Sequence, residues 1–386
     1  MSPTILALAS ELKGLPFLEE CKRQGCHVVV LMDEKLQGEP WPWEAIGEHF
    51  AMPSVRKQPD LTNAVSYLAR DRRFDRVVAL DDYDVEGAAD LREHLRLSGM
   101  GASAARLFRD KLAMRTAARA AGLRVPHFTG IFNYDDLRSF MAEVAPPWIL
   151  KPRTLAGSEG IRKLHDSEAL WRLLDELGDD KSHHLLEDFI PGQVYHVDSV
   201  CFSGEVVFAL ASRYGTPPLS ALQGRGIFTT RVLPRNGEEA QELLALNTEV
   251  VRALGRRHGP THTEFIRAED GALYFLETAA RVGGGNIEWL VHAASGLKLW
   301  QEAARTELAD LRGETYSLPE LREGYAGLIA APSQTPFADT SAYTDPEITL
   351  RPRSKEFVSL IVGADDSERV ETLLASYAER FVQDFM

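Results

Sequence analysis

The chain has 386 residues, of which 44% are hydrophobic and 26% charged, values typical of a soluble globular protein with two or three domains. A net charge of −14 at pH 7 argues against a broad surface for nucleic acid or for anionic membranes. No apolar run is long enough to span a membrane and the N-terminus lacks a signal-peptide pattern, so we expect a cytoplasmic protein.

The first hundred residues alternate strand and helix patterns. The predicted elements are strands at residues 5–9, 27–32 and 76–80 and helices at residues 15–24, 61–70 and 85–97. Repeated βα units of this kind imply a parallel sheet covered by helices. The first turn, residues 10–14, lacks the GxGxxG pattern of dinucleotide-binding proteins. We therefore expect a Rossmann-like domain over residues 1–105 that does not bind a dinucleotide.

The rest of the chain predicts two further domains, over residues 106–188 and 189–386. An Ala- and Arg-rich helix pattern runs from Arg109 to Gly122, and a short apolar strand ends at Lys151. Strand patterns from Leu185 onwards indicate a second sheet, joined by tight turns and covered by long helices. The predicted fold class is therefore mixed, α/β at the N-terminus and α+β beyond it.

Two glutamates, Glu264 and Glu277, flank a hairpin signal at Asp270-Gly271. If those two residues form the turn, residues 269 and 272 pair, and counting outwards places Glu264 directly opposite Glu277. Their Cβ atoms would lie roughly 5 Å apart, and like charges at that distance destabilise a sheet. A divalent cation between them would remove the repulsion, and carboxylate ligands point to magnesium held together with substrate phosphates.

Two alternatives stay open for this pair of glutamates. In the first, both carboxylates simply face solvent, as charged strand residues usually do. In the second, the turn is a three-residue loop with a bulge, which would shift the register and separate Glu264 from Glu277.

A lysine and a glycine-rich loop follow each other in the central region. Lys151 ends an apolar strand and precedes a loop that contains Gly157, Ser158 and Gly160. Small residues let backbone N–H groups approach phosphate oxygens, and a lysine adds a point charge. The loop does not match the Walker pattern, so a plain turn is the alternative.

The positions of two further cationic residues indicate a role in ligand binding. Lys111 lies near the start of a helix, where the helix dipole disfavours a lysine, which hints at a ligand role. Arg281 follows Glu277 by four residues and suits a carboxylate or a phosphate. The alternatives are a solvated lysine and a salt bridge between Arg281 and one of the glutamates.

The order of these features along the chain resembles that of the ATP-grasp superfamily. The segments that carry the resemblance are Arg109-Asp110-Lys111, Leu150-Lys151-Pro152 with Gly157-Ser158-Glu159-Gly160, Glu187-Asp188-Phe189-Ile190-Pro191-Gly192, and Glu277-Thr278-Ala279-Ala280-Arg281-Val282-Gly283-Gly284. The last segment is similar to the E-x-N-x-R-x-G-G signature of that superfamily. The resemblance covers nearly the whole chain and implies an ATP-grasp fold: an N-terminal Rossmann-like domain, a central lid domain and a C-terminal antiparallel-sheet domain with the metal site.

The resemblance also implies ATP as the nucleotide and Mg²⁺ as the metal, with Mn²⁺ as an alternative. The roles it assigns are phosphate binding for Lys111 and Lys151, a covering loop with Ser158 and Gly160, adenine binding for Glu187 and Ile190, metal binding for Glu264 and Glu277, and contact with the acyl substrate for Arg281. We therefore expect Glu277 and Arg281 to be the catalytic residues.

Two positions depart from the superfamily pattern. Ala279 stands where Asn usually supplies a further metal ligand, and Val194 stands where many members have a ribose-binding Glu. The first departure puts the coordination of a second metal in doubt. For the second, we expect His196, two residues further along the strand, to take over part of the ribose contact.

The reaction that the resemblance implies is ADP-forming ligation. A carboxylate is activated as an acylphosphate and then joined to an amine, most like the ligases of the L-amino-acid type, so small-molecule acids and amines are the expected partners. A homodimer is one expected assembly. The alternatives are a biotin-carboxylase-like or purine-pathway enzyme, and an ATP-binding subunit with weak catalysis. Arg213, Arg225 and Arg231 are candidates for binding a substrate carboxylate.

Overall fold

The computed structural model describes residues 2–216 and 226–386 and contains three β-sheets in these ranges. One four-stranded sheet is parallel, while a second four-stranded sheet and an eight-stranded sheet are antiparallel. The mixed fold class predicted from the sequence is therefore confirmed. The predicted domain boundaries, at residues 105/106 and 188/189, stay predictions.

The parallel sheet has the strand order β3-β2-β1-β4. Its elements are β1 (Thr4–Ala9), α1 (Leu15–Arg23), β2 (His27–Asp33), β3 (Glu48–Met52), α2 (Asp60–Leu68), β4 (Arg76–Ala79) and α3 (Val85–Leu95). The strands are runs of aliphatic residues because helices cover both faces of the sheet. The strand order reverses between β1 and β4, and ligand sites in such sheets lie at the carboxyl edge beside that point.

The second sheet has the order β5-β8-β6-β7. Its region contains α4 (Ala102–Arg106), α5 (Lys111–Ala120), β5 (Phe128–Gly130), α6 (Tyr134–Glu143), β6 (Trp148–Pro152), β7 (Arg162–Leu164), α7 (Ser167–Leu177) and β8 (His184–Asp188). Helix α5 begins later than predicted because Asp110 caps it, its side chain accepting hydrogen bonds from the backbone N–H groups of Leu112 and Ala113. Lys111 is consequently the first residue of the helix.

The eight-stranded sheet has the order β13-β12-β9-β10-β11-β14-β16-β15. Its region contains β9 (Gly192–Phe202), β10 (Glu205–Tyr214), β11 (Phe228–Val232), α8 (Glu238–Leu254), β12 (Gly259–Ala268), β13 (Leu273–Ala279), α9 (Ile287–Ser295), α10 (Leu299–Arg312), β14 (Tyr325–Pro332), β15 (Ile348–Leu350), β16 (Phe357–Ala364) and α11 (Ser367–Phe385). Helix α10 packs against α1, so the N-terminal sheet and this sheet share a hydrophobic core.

The turn between β12 and β13 differs from the predicted one. Ala268 pairs with Ala272 through a backbone hydrogen bond of 2.9 Å, which leaves a loop of three residues instead of two. Gly271 closes this loop with a φ of 84°, a left-handed conformation that favours glycine. The register then shifts once more, between the pairs Glu264/Glu277 and Phe265/Phe275, so Leu276 is an extra residue in β13.

These two irregularities cancel. The three-residue loop moves the register by one, the bulge moves it back, and Glu264 is the direct partner of Glu277. The predicted pairing of the two glutamates is therefore confirmed, whereas the predicted two-residue turn is wrong.

Within the described ranges, no helix combines the length and the apolar character that crossing a bilayer requires.

Candidate functional site

The two glutamates of the hairpin line one cavity of about 750 Å³ and also a smaller adjoining slot of about 180 Å³. Strand pairing brings their side chains to the same face of the sheet. Both carboxylates are partly exposed, 19% for the side chain of Glu264 and 34% for that of Glu277, so they are open to a ligand.

Glu277 is surrounded by cations. The Nζ of Lys111 lies 3.3 Å from its Oε2 atom. Burial alone would raise the pKa of Glu277, but Lys111, Lys151 and Arg115 lower it to about 2. The carboxylate is therefore ionised across the physiological pH range and suited to a cationic ligand.

Glu264 on β12 accepts a hydrogen bond from β10, which lies two strands away in the same sheet. The hydroxyl of Tyr214 donates to Glu264 Oε1 at 2.9 Å, and His262 Nε2 lies 3.6 Å from the same oxygen. Burial and the charge of Glu264 raise the pKa of Tyr214 well above its ordinary value, so this hydroxyl stays a donor. The hydrogen bond from Tyr214 thus fixes the orientation of the Glu264 carboxylate.

The loop that follows β6 is hydrogen-bonded to the start of α5. Lys111 Nζ donates to the carbonyl of Leu155 at 2.6 Å. The backbone N–H of Lys111 donates to the backbone carbonyl of Arg153 at 2.8 Å. Further along the loop, Ser158 and Gly160 have φ angles of 59° and 72°. Ser158 lines both the cavity and the slot, and Gly160 follows the lining residue Glu159.

A buried ion cluster lies at the base of the slot. Lys151 Nζ is 2.5 Å from Glu187 Oε1, and Arg115 Nη2 is 3.1 Å from Glu187 Oε2. Burial raises the pKa of Glu187, yet Lys151 and Arg115 outweigh it and lower the pKa below its ordinary value. The Glu187 carboxylate is therefore ionised and fixes the head of Lys151 beside the slot.

The slot itself lies between the two antiparallel sheets and has largely apolar walls. The two sheets and the segment after β8 contribute five of its aliphatic lining residues, which are Ile149, Ile190, Val194, Ile266 and Leu276. A flat apolar heterocycle suits such a space, while the charged end of the same ligand would face Lys111 and Glu277.

Comparison with known proteins identifies this two-sheet arrangement. Residues 144–288, which run from just before β6 into α9, match the family described as an ATP-grasp domain. The chain contains an ATP-grasp domain. The match includes the hairpin glutamates, Lys151, Glu187 and Arg281.

The similar proteins include ligases and a formyltransferase. An L-arginine-specific L-amino acid ligase from Bacillus subtilis is 28% identical over 237 residues, 60% of this chain and 57% of that protein. A formate-dependent phosphoribosylglycinamide formyltransferase from Chlorobaculum tepidum is 26% identical over 408 residues, 95% of this chain and 94% of that protein. The chain spans about half the length of the curated amino acid ligases that it matches.

A solved structure supports the fold along the full chain. The L-amino acid ligase from Bacillus licheniformis superposes with a TM-score of 0.77 at 20% identity, over 100% of this chain and 98% of that one. The N-terminal parallel sheet and both antiparallel sheets therefore belong to one ATP-grasp fold.

Arg281 of the ATP-grasp domain lies in the large cavity but does not pair with the glutamates. Its Nε atom is 3.5 Å from Asp82 Oδ1, and its Nη1 atom donates to the carbonyl of Val282 at 2.8 Å. The salt bridge considered from the sequence therefore forms with Asp82 instead of Glu264 or Glu277. Arg109 also pairs with Asp82, through the other carboxylate oxygen.

The environment of His196 does not suit the ribose contact that we expected. The ring is fully buried, with Nδ1 2.7 Å from Asp198 and Nε2 2.7 Å from Thr230. Asp198 also contacts His262 at 2.9 Å, and although burial lowers the pKa of His262, Asp198 and Glu264 raise it to about 9. His196 thus belongs to a polar network behind Glu264.

Sequence reasoning missed Tyr214 and Asp82. Asp82 follows β4 at the carboxyl edge of the parallel sheet, so the rule for ligand sites in such sheets was an available signal. Tyr214 ends β10 and gave no comparable signal, because its contact with Glu264 crosses the sheet.

The candidate substrate arginines have different environments. Arg231 forms an ion pair of 2.7 Å with Glu371, and Arg213 is its direct neighbour across β10 and β11. Arg225 lies outside the described residues.

Proposed function

We propose that this chain is an ATP-dependent ligase that joins a carboxylate to an amine and releases ADP and phosphate. The observation that carries the proposal is the direct pairing of Glu264 and Glu277 in one cavity with Lys111. Two ionisable carboxylates beside a lysine suit a metal-bound polyphosphate, and the ATP-grasp domain supplies the family context.

The donor set of the cavity fits Mg²⁺, with Mn²⁺ as an alternative. Both ligands are carboxylates, and the pKa of Glu277 is held at about 2 by Lys111 and other cations despite its burial, so the negative charge is already present. When bound, the metal would neutralise charge on the phosphate oxygens. Ala279 contributes no oxygen ligand, so Glu264 and Glu277 would provide the protein part of the coordination.

The proposed nucleotide position uses the slot and the loop. Adenine would lie against Ile190 in the apolar slot, while Lys111 and Lys151 face the phosphates. The loop with Ser158 and Gly160 would cover the phosphates and exclude water. Exclusion of water protects an acylphosphate from hydrolysis.

The proposed chemistry has two steps. A carboxylate oxygen attacks the γ-phosphorus of ATP, the bond to the β–γ bridging oxygen breaks, and ADP leaves. The neutral amine then attacks the acyl carbon, phosphate leaves, and the nitrogen loses a proton. Catalysis of such a transfer relies mainly on positioning and charge, and Arg281 in the cavity would hold the acyl group or its phosphate.

For the substrates we propose small molecules, an amino acid or small acid and an amine. The L-amino acid ligases among the similar proteins favour this class. A second candidate, an enzyme that activates a one-carbon acid such as formate or bicarbonate, is favoured by the 94% coverage of the formyltransferase. A cytoplasmic location and a homodimer stay predictions.

A substrate panel with detection of ADP tests the proposal. Pairs of amino acids, and formate or bicarbonate with amines, are incubated with the full chain, ATP and Mg²⁺. We expect ADP release that requires both an acid and an amine. Dependence on formate or bicarbonate would favour the second candidate. AMP and pyrophosphate as products would contradict the acylphosphate mechanism, and tight ATP binding without turnover on any pair would indicate a non-catalytic subunit.

A further inference from the structure

A second cavity, of about 450 Å³, lies where the N-terminal sheet meets the eight-stranded sheet. Its walls include β4, the segment Ser98–Gly101, the segment Gly255–Pro260 and part of α10. It shares Arg281 with the cavity of the glutamate pair, whereas Glu264 and Glu277 are not among its described lining residues. This cavity therefore adjoins the candidate active site, but apart from Arg281 its described lining residues are different.

The described lining of this cavity has an excess of positive charge, with five arginines and two carboxylates. Both carboxylates already have partners. Asp310 lies 2.7 Å from Arg76 and 3.1 Å from His258, and Glu307 lies 3.6 Å from Arg76. The remaining arginines of this lining form no ion pair with either carboxylate, and two of them, Arg92 and Arg256, are buried.

Arg92 is one of these cations. The residue is 8% exposed, and its guanidinium donates to two backbone carbonyls, that of Met100 at 2.9 Å and that of Val77 at 2.7 Å. Burial is the main cause that lowers the pKa of Arg92 to about 10; Glu307 opposes this shift, while the charges of Arg256 and Arg76 add to it.

Arg256 is the other buried arginine of this group and has weaker contacts. It is 9% exposed, its Nη2 atom is 3.4 Å from the carbonyls of Pro260 and Ala280, and its Nε atom has no hydrogen-bond partner among the described residues. Burial lowers its pKa as well. A buried guanidinium without a carboxylate partner is costly, so an anionic ligand would stabilise it.

Two glycines leave room for the side chains of Arg92 and Arg256. A Cβ atom on Gly99 would lie 2.7 Å from Cδ of Arg92, and one on Gly259 would lie 2.6 Å from Nη2 of Arg256. Both glycines also have positive φ angles, 128° and 92°. Larger residues at these two points would displace the arginine side chains, so the present positions of Arg92 and Arg256 require glycine at both points.

We propose that this cavity binds a small organic anion whose carboxylate is held by Arg92 and Arg256. The guanidinium fork matches the two oxygens of a carboxylate. Phe17, Val78 and Trp300 line the same space and suit an aliphatic remainder, and the volume lies in the range of small-molecule sites. The inference does not depend on the proposed ligase reaction, because binding is measured without turnover.

Calorimetric titration of the full chain tests the site with three probes at constant ionic strength. Isovalerate carries a carboxylate and an aliphatic group, isovaleramide is its neutral counterpart, and inorganic phosphate is an anion without an apolar part. We expect isovalerate to bind at least tenfold more tightly than either of the others. Equal binding of isovalerate and its amide, or preference for phosphate, would overturn the proposal.

Variants locate the binding. Arg256→Gln should weaken isovalerate binding at least tenfold, whereas Arg252→Gln, an exposed arginine on the last turn of α8, should leave it within twofold. If Arg256→Gln does not fold, Arg256→Lys keeps the charge without the fork and should weaken binding at least threefold. Unchanged affinity in a folded Arg256 variant would place isovalerate elsewhere, for example beside Arg281 in the larger cavity, and would overturn the assignment.

Discussion

Lys111 on α5 and Glu277 on β13 form an ion pair of 3.3 Å that joins the central region to the hairpin with the two glutamates. The same lysine donates to the carbonyl of Leu155 in the loop after β6. One side chain therefore contacts a carboxylate proposed to bind metal and a loop proposed to cover phosphates. Loss of Glu277 would affect the proposed metal site and the position of Lys111 together.

Glu277→Ala is expected to reduce the metal-dependent turnover by about a hundredfold or more, because it removes charge that acts in the transition state. The fold should persist, since the side chain is 34% exposed. Turnover of the identified substrate pair at several Mg²⁺ concentrations measures the effect, and circular dichroism reports the fold.

Glu269→Ala is the matched control on the same hairpin, because Glu269 is exposed at the turn between β12 and β13. It should keep nearly full activity. Retention of most activity by Glu277→Ala would show that the assignment of this carboxylate to the metal is wrong.

Tyr214→Phe removes the donor to Glu264 and leaves the ring in place. We expect the apparent Mg²⁺ affinity to fall several-fold, because a hydrogen bond to a charged group contributes about 1.5–3 kcal/mol and part of this orients the carboxylate. The measurement is the Mg²⁺ concentration for half-maximal activity. Tyr274→Phe, a partly exposed tyrosine on β13, serves as the control, and equal Mg²⁺ dependence of both variants would argue against an orienting role for Tyr214.

The hairpin shows how far the sequence predicts the site. The residue types and the turn signal predicted that Glu264 faces Glu277, and the structure has this pair. The prediction of a two-residue turn was wrong, because Gly271 in its left-handed conformation closes a three-residue loop. The extra residue Leu276 in β13 then restores the register. A pattern with a period of two cannot show that second shift, so the correct pairing followed from two compensating differences.

The burial of a side chain was harder to predict from the sequence than the face of the sheet on which it lies. His196 pairs with Glu264 on the neighbouring strand as the alternation suggests, but the ring is fully buried between Asp198 and Thr230. Thr230 belongs to β11, which joins the sheet through long-range pairing. The sequence of β9 alone contains no information on how far below the surface this position lies.

Lys151→Ala is expected to weaken nucleotide binding about tenfold, because its Nζ atom is held beside the slot by Glu187 at 2.5 Å. Titration with a non-hydrolysable ATP analogue measures the affinity. Lys181→Ala, in the same region and outside the slot, is the control. Unchanged affinity in a folded Lys151 variant would contradict the phosphate role.

Glu20 links the N-terminal sheet to the rest of the chain and predicts a specific dependence of stability on pH. Its carboxylate accepts hydrogen bonds from Arg23 Nε at 2.7 Å and from Arg305 Nε on α10 at 2.8 Å. Burial raises the pKa of Glu20, but these arginines lower it to about 2, below the ordinary value of 4.5. A group whose pKa is lower in the folded state stabilises the protein above its unfolded pKa, and this contribution is lost as the pH falls.

We therefore expect Glu20→Gln to be less stable than the wild type at pH 7, by on the order of 2 kcal/mol. Between pH 4.5 and pH 2 the wild type should lose this advantage, so the two free energies of unfolding should converge. Urea denaturation at a series of pH values gives both curves, and Glu19→Gln, the exposed neighbour on α1, should follow the wild type. Parallel curves for Glu20→Gln and the wild type over this range would mean that the ion pairs with Arg23 and Arg305 do not lower the pKa of Glu20, and that the contact between α1 and α10 depends on apolar packing alone.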